Sequence, residues 1–344
     1  MFSYIIRRVM TIPAVILLLT VLLFFLMSFL SPYQLVGLYV TDITQMRGEL
    51  SLDKLVEQYG LDDPIYIRYF RWLGNLLRGR LGYAASAKMS VSEALLTYIP
   101  ASVELMIYTL FPFTLIGVIL GTIAAVNHDN VYDHLIRIFG VVGYTIPIFV
   151  LALLVLMIFY GVVEWFPPGR LSRWAREIVN SAGFVRYTHL NTIDAILNGN
   201  LKVFVDAVKH LLGPMLTLML ILSALITRVM RSSMLEIMNK DYITTARAKG
   251  MKERFVIAKH ALRNAILPVV TIAGYTFARL LGGVVVTETI FNYRGMGLFA
   301  VKAAQNLDFP ALLGFVLFSG TVLVMVNLIV DLLYTYIDPR IRYT

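Results

Sequence analysis

Cysteine is absent from all 344 residues. No disulfide, thiolate nucleophile or cysteine-ligated metal is open to this chain, and either redox compartment suits it. Charge is also scarce. Only 15% of the residues are charged, against about 25% in a typical soluble domain. The five histidines, at 128, 134, 189, 210 and 260, are too dispersed for metal-ligand spacing, so no metal is expected. No G-x-x-x-x-G-K-[ST] phosphate loop occurs, and the chain is not expected to hydrolyse ATP by itself. H-E-x-x-H and G-x-S-x-G are missing too, and nothing else supports an enzyme. No internal repeat is visible, which counts against a secondary transporter built on repeated halves.

What is abundant is apolar. Hydrophobic residues make up 58% of the chain, and the mean hydropathy is +0.76. That is the composition of a membrane protein, and the length of its apolar runs leads to the expectation of an all-α polytopic fold. Six stretches are long and apolar enough to cross a bilayer: Val9–Leu30, Val103–Val126, Ile136–Phe159, Leu211–Met230, Ile266–Ile290 and Leu312–Ile337. The first follows Arg7 and Arg8 and is too long for the core of a cleaved signal peptide. We read it as an uncleaved anchor in the cell (inner) membrane, with the N-terminus in the cytoplasm. An even number of spans then returns the tail, 339–344, to the cytoplasm. The loop from Arg231 to Arg263 falls inside and holds eight Lys/Arg, and the tail adds Arg340 and Arg342. The outside loop at Pro167–His210 holds six, so the positive-inside bias is weak. The net charge of +9 suits anionic membrane lipid. The basic residues are scattered without forming a basic domain, so no nucleic-acid partner is expected.

Residues 31–102, between the first two spans, read as a small folded extracytoplasmic subdomain. Ser51 to Gly60 has a cap-like start, helical periodicity and a terminal glycine. Asp62-Asp63-Pro64 then opens a second helix over Ile65–Leu77, and Arg78 to Gly82 reads as a turn. In the second outside loop, Trp165 and Trp174 are candidate interface anchors. Pro147, in Tyr144-Thr-Ile-Pro-Ile148, is expected to kink the third span.

A polar island interrupts the apolar core at 241–268. Asp241 can cap a helix, Arg247 and Lys249 complement the dipole at its far end, and Gly250 can end it in a left-handed turn. Thr245, Ala246 and Ala248 are small enough for another protein to come close. A second helix, Lys252 to Asn264, places Phe255, Val256, Lys259, His260 and Arg263 at spacings of three and four, and Pro268 opens the next span. The residues alone fit either an ordinary loop with snorkelling basic side chains or a docking surface.

This island resembles the EAA-type coupling loop of ABC-transporter permeases. Thr244-Thr245-Ala246 stands at the E-A-A place, so only the last alanine fits the generic form. Asp241-Tyr-Ile-Thr-Thr-Ala-Arg-Ala-Lys-Gly250 and His260-Ala-Leu-Arg-Asn-Ala-Ile-Leu-Pro268 are closer to the dipeptide/oligopeptide importer branch. So are Met1 to Arg8, Tyr59 to Tyr66, Thr287-Glu-Thr-Ile-Phe291 with Gly295-Met-Gly297, Asp308-Phe-Pro310 and Asp331 to Arg340. The large first loop resembles that of the B-type permease. The resemblance implies a type I ABC importer (MetI-like) fold whose core, 103–338, includes the coupling loop 231–265. It implies a C-type permease partner, two cytoplasmic ABC ATPases holding ATP and Mg, and an extracytoplasmic solute-binding protein. No cofactor on this chain is implied. It also assigns ATPase coupling to Asp241, Tyr242, Thr245, Ala246, Arg247, Ala248, Lys249, Gly250 and Pro268. The cargo implied is a di- or oligopeptide. The same branch also carries oligosaccharides and nickel chelates, and a secondary transporter is a further alternative.

Three charges are candidates for the substrate path. Arg279 lies mid-way along the fifth expected span, roughly 20 Å from its inner end. A charge there is costly and faces protein or water, where it can meet a peptide carboxylate or pair with Asp331. Glu288 and Glu104 lie near the outer ends of their spans, as gate residues or as ordinary interfacial carboxylates.

Overall fold

A long apolar run in lipid must satisfy its own backbone, and the helix is the solution open to a single segment. The computed structural model describes residues 2–39 and 52–337, with side chains described over 10–39 and 53–329. Ser51, the tail at 339–344 and the side chains of Arg7, Arg8 and Asp331 lie outside these residues.

Four helices are long and apolar enough to cross a membrane: α1 (Phe2–Met27), α4 (Val91–Val126), α9 (Leu201–Met238) and α15 (Phe309–Ile337). Two bent pairs bring the number to six if each pair is one span. The first pair is α5 (Val131–Thr145) with α6 (Ile148–Leu156), which continues as a π-helical turn, Met157–Val162. The second is α11 (Glu253–Ala265) with α12 (Leu267–Leu281). Between α1 and α4 lie α2 (Leu52–Tyr59), α3 (Ile65–Leu77) and a hairpin of β1 (Tyr83–Ala84) and β2 (Met89–Ser90), which the sequence reading missed. Short helices α7 (Arg173–Val179) and α8 (Asn191–Leu197) precede α9, and α10 (Asp241–Ala248) follows it. After α12 come α13 (Val285–Ile290) and α14 (Met296–Gln305).

Two of the expected spans need correction. The third does not merely kink, because its halves meet at 99°. Pro147 lacks an amide hydrogen and its ring drives the preceding residue out of the helical region. Ile146 accordingly sits extended, at φ −68° and ψ 123°. The fifth ends at Leu281 and not at Ile290. Gly283, at φ +95°, turns the chain there, and a side chain on it would collide with the backbone of Gly297.

The described residues form two compact units: 2–39, 52–103 and 279–335 in one, and 104–278 and 336–337 in the other. In the first unit, the segment after α1 does not keep to a core of its own. Leu55, Val56, Leu61 and Trp72 share one buried cluster with Leu23, Phe24 and Met27 of α1 and Leu313 and Leu317 of α15. Phe24 stands edge-on to Tyr69, whose hydroxyl is 3.0 Å from Thr20 Oγ1. A second cluster joins Val91 and Ala94 to Met296, Phe299 and Ala311. In the second unit, residues 171–207 build a small core of Leu171, Ala175, Val179, Phe184, Ala195, Val203 and Ala207. Trp165 and Trp174 remain exposed.

Candidate functional site

Helix α10 is tied to the segment that follows it. Lys240, extended at ψ 147°, occupies the cap position without a side-chain cap bond, so Asp241 is the first helical residue and not the cap. Its carboxylate still lies where the helix dipole favours negative charge. At the far end the Gly250 amide donates to the Arg247 carbonyl at 2.9 Å and the Met251 amide to the Ala246 carbonyl at 3.4 Å. That bond pair, with Gly250 at φ +75°, is a Schellman stop. Arg247 then reaches forward to Glu253, with contacts of 2.7 and 3.1 Å. Hydrogen bonding to this guanidinium holds the Glu253 carboxyl below the usual carboxylate range. Asn264 donates to the Tyr242 hydroxyl at 3.2 Å, tying α10 to the far end of α11.

Burial divides the helix into two faces. Ile243 and Ala246, three residues apart, are buried, and α10 packs against the π-helical segment Val256–Ala261 of this chain. Asp241, Tyr242, Thr245, Arg247, Ala248, Lys249 and Gly250 are exposed. The small side chain of Ala246, expected at a docking contact, is therefore used for packing inside the chain. Of the three small residues of the island, only Thr245 and Ala248 are exposed. Pro268 is the second residue of α12, beside the 47° bend, where its missing amide costs no helical bond.

The candidate path carboxylates are fully engaged with their own chain. Glu104, 1% exposed, accepts from the Thr192 amide at 2.7 Å and hydroxyl at 2.8 Å through one oxygen. Its other oxygen meets Arg170 at 2.8 Å. It anchors α8 and the loop before α7 to α4, so a free gate carboxylate is not what the structure shows. Glu288, 0% exposed, lies on α13, beyond the end of α12. One oxygen accepts from the Gly297 and Leu298 amides at 2.7 and 3.1 Å, the other from Ser102 Oγ at 2.7 Å and the Val284 amide at 3.3 Å. It thus caps α14 from a distance, filling the role that a neighbouring Ser or Asp plays at an ordinary N-terminus. Gly295 and Gly297 make room, since a side chain on Gly295 would sit 2.5 Å from the Glu288 carboxyl carbon. Arg279 belongs to the last turn of α12 and is exposed, so it is not a mid-helix charge.

One pairing had no signal in the sequence strong enough to single it out. Arg231 of α9 grips Asp133 of α5 with two bonds, of 2.6 and 2.7 Å. Asp133 is completely buried and also accepts from the Asp129 amide at 3.1 Å. His128, Asp129 and Asp133 lie close enough together to hold a cation, but both Asp133 oxygens already serve Arg231.

The arrangement contains a largely exposed helix tied to its own chain and saturated buried carboxylates. Comparison with known proteins shows the family. The N-terminal family of binding-protein-dependent transport system membrane components matches residues 1–116. The family described as binding-protein-dependent transport system inner membrane component matches residues 117–343. The probable D,D-dipeptide transport system permease protein DdpB of Escherichia coli is 40% identical over 86% of this chain and 87% of its own length. The dipeptide transport system permease protein DppB of Alkalihalophilus pseudofirmus is 34% identical over the whole of both chains. The di/tripeptide transport system permease protein DppB of Pseudomonas aeruginosa is 36% identical over 87% of this chain and 88% of its own length. The chain belongs to the family of binding-protein-dependent transport system inner membrane components.

Proposed function

We propose that this chain is the permease subunit of an ATP-driven importer and forms, with a second permease, the membrane path for di- and oligopeptides. An extracytoplasmic binding protein delivers the cargo, and two cytoplasmic ATPases supply the work. Both termini and α10 lie on the cytoplasmic side. The observation that carries this reading is the exposed face of α10, in a chain with no phosphate loop of its own. The printed names of the relatives supply the cargo class. ATP binding closes the ATPases and displaces α10. The Arg247–Glu253 and Tyr242–Asn264 ties pass that displacement to α11 and α12. Each nucleotide state must bind one permease conformation better than the other for the cycle to turn.

The test is uptake of a labelled dipeptide into vesicles holding this chain, its partner permease and the ATPases, with binding protein added. Uptake is expected to need ATP and the binding protein. Uptake driven by an ion gradient without ATPase subunits would overturn the proposal.

A further inference from the structure

A groove of about 480 Å³ runs between α5 and α9. Its polar lining includes Arg137, Tyr144, Thr145, Thr227, Arg228 and Ser232. Three features there point to a ligand. The guanidinium of Arg228 lies 4.6 Å from the centre of the Tyr144 ring, and no ion pair engages it among the described residues. A guanidinium held over a ring keeps its donors in its own plane, ready for a planar oxyanion. The Thr227 hydroxyl is buried and has no hydrogen-bond partner among the described residues. Lastly, the wall ends at the 99° break of the third span, at Tyr144 and Thr145.

The break decides between lipid and cargo. In a helix, residue 147 would donate to the carbonyl of Gly143, and proline cannot. Irregular backbone at membrane depth is tolerated where it is buried in protein or lines a water-filled cavity, not against lipid tails. Arg228 lies in α9, in the last turn of the expected fourth span, so the choice rests on the break at Pro147, farther along the third expected span. We infer that this groove is a solute subsite on the translocation path, in which Arg228 receives a carboxylate of the transported peptide. This rests on the peptide-importer reading above. Thr227 adds a hydroxyl donor, and Tyr144 fixes the guanidinium.

The test uses the complete importer in phosphatidylcholine vesicles, with binding protein saturated by alanyl-alanine or by its C-terminal amide. Peptide imported per ATP hydrolysed is measured for each. Arg228→Gln is expected to lower the value for the free acid on the order of ten-fold, the scale of one charge-assisted hydrogen bond, and to spare the amide. Arg228→Lys should retain part of the preference, and Thr227→Val should reduce the acid alone, by about three-fold. Equal losses for acid and amide, or no loss, would overturn the inference and leave the importer reading intact. An Arg228→Gln effect confined to vesicles containing phosphatidylglycerol would also overturn it, by assigning the groove to a lipid phosphate. A wild-type complex that imports neither peptide would overturn the importer reading instead, and the cargo named here with it.

Discussion

Glu288 illustrates how a buried carboxylate can serve structure alone. It accepts from three amides and a hydroxyl, so each lone pair faces a donor. Replacing Glu288 with Gln turns one acceptor into a donor aimed at N–H groups. Hydrogen bonds to a charged group contribute about 1.5–3 kcal/mol each, so Glu288→Gln is expected to destabilise by about 2 kcal/mol, read as a lowered melting temperature of the purified complex. Asp133 and Arg231 make a sharper case. Asp133→Asn leaves Arg231 without its counter-charge in a largely buried site and should cost about 3 kcal/mol. Replacing both, Asp133→Leu with Arg231→Met, should recover most of that loss, because an apolar pair leaves no buried charge unmatched. If the double variant melts below the single one, a simple pair is the wrong account of these residues.

Among the elements, α10 depends on its stop. Nothing crowds Gly250, but its φ is +75°, a conformation that costs other residues about 1 kcal/mol. Gly250→Ala should therefore leave the complex assembled and its melting almost unchanged while reducing uptake per ATP, because the turn that aims α10 becomes strained. Melting and coupling ratio, measured on one preparation, separate the two effects. The Arg247–Glu253 tie also has a pH signature. Since the folded Glu253 carboxyl is lowered, the tie is complete above the ordinary glutamate range and is lost as pH falls through the lowered value. The sequence displayed α10, Gly250 and the apolar spans openly, because capping residues and hydropathy are local properties. Pro147 signalled a kink but not a bend of 99°, and the averaged apolar run hid the turn at Gly282-Gly283. It hid the work of Glu104 and Glu288 for a different reason. A lone carboxylate near the end of a span looks like a gate until Thr192, Gly297 and Leu298, distant in the chain, are seen to surround it.

At the scale of the whole molecule, an importer works only if motion at α10 reaches the path, and the route proposed here crosses two exposed ties. Surface ion pairs contribute only about 0.2–1 kcal/mol to stability, so breaking Arg247–Glu253 should scarcely change melting. Its effect on coupling is a separate matter, because a loose tie absorbs displacement that a firm one transmits. Arg247→Glu is expected to keep ATP turnover near that of the wild type and to reduce peptide imported per ATP by about five-fold, a change of roughly 1 kcal/mol in coupling. The reversed pair, Arg247→Glu with Glu253→Arg, distinguishes the two roles open to Arg247. If the arginine acts as a tie within this chain, reversal restores the bridge and with it the coupling ratio. If it acts by touching the ATPase, reversal leaves glutamate facing the partner and the ratio stays low. Because Ala246 and Ile243 face inward, the docking contact should then be sought on the Tyr242, Thr245 and Ala248 face, where Thr245→Trp should weaken ATPase binding itself.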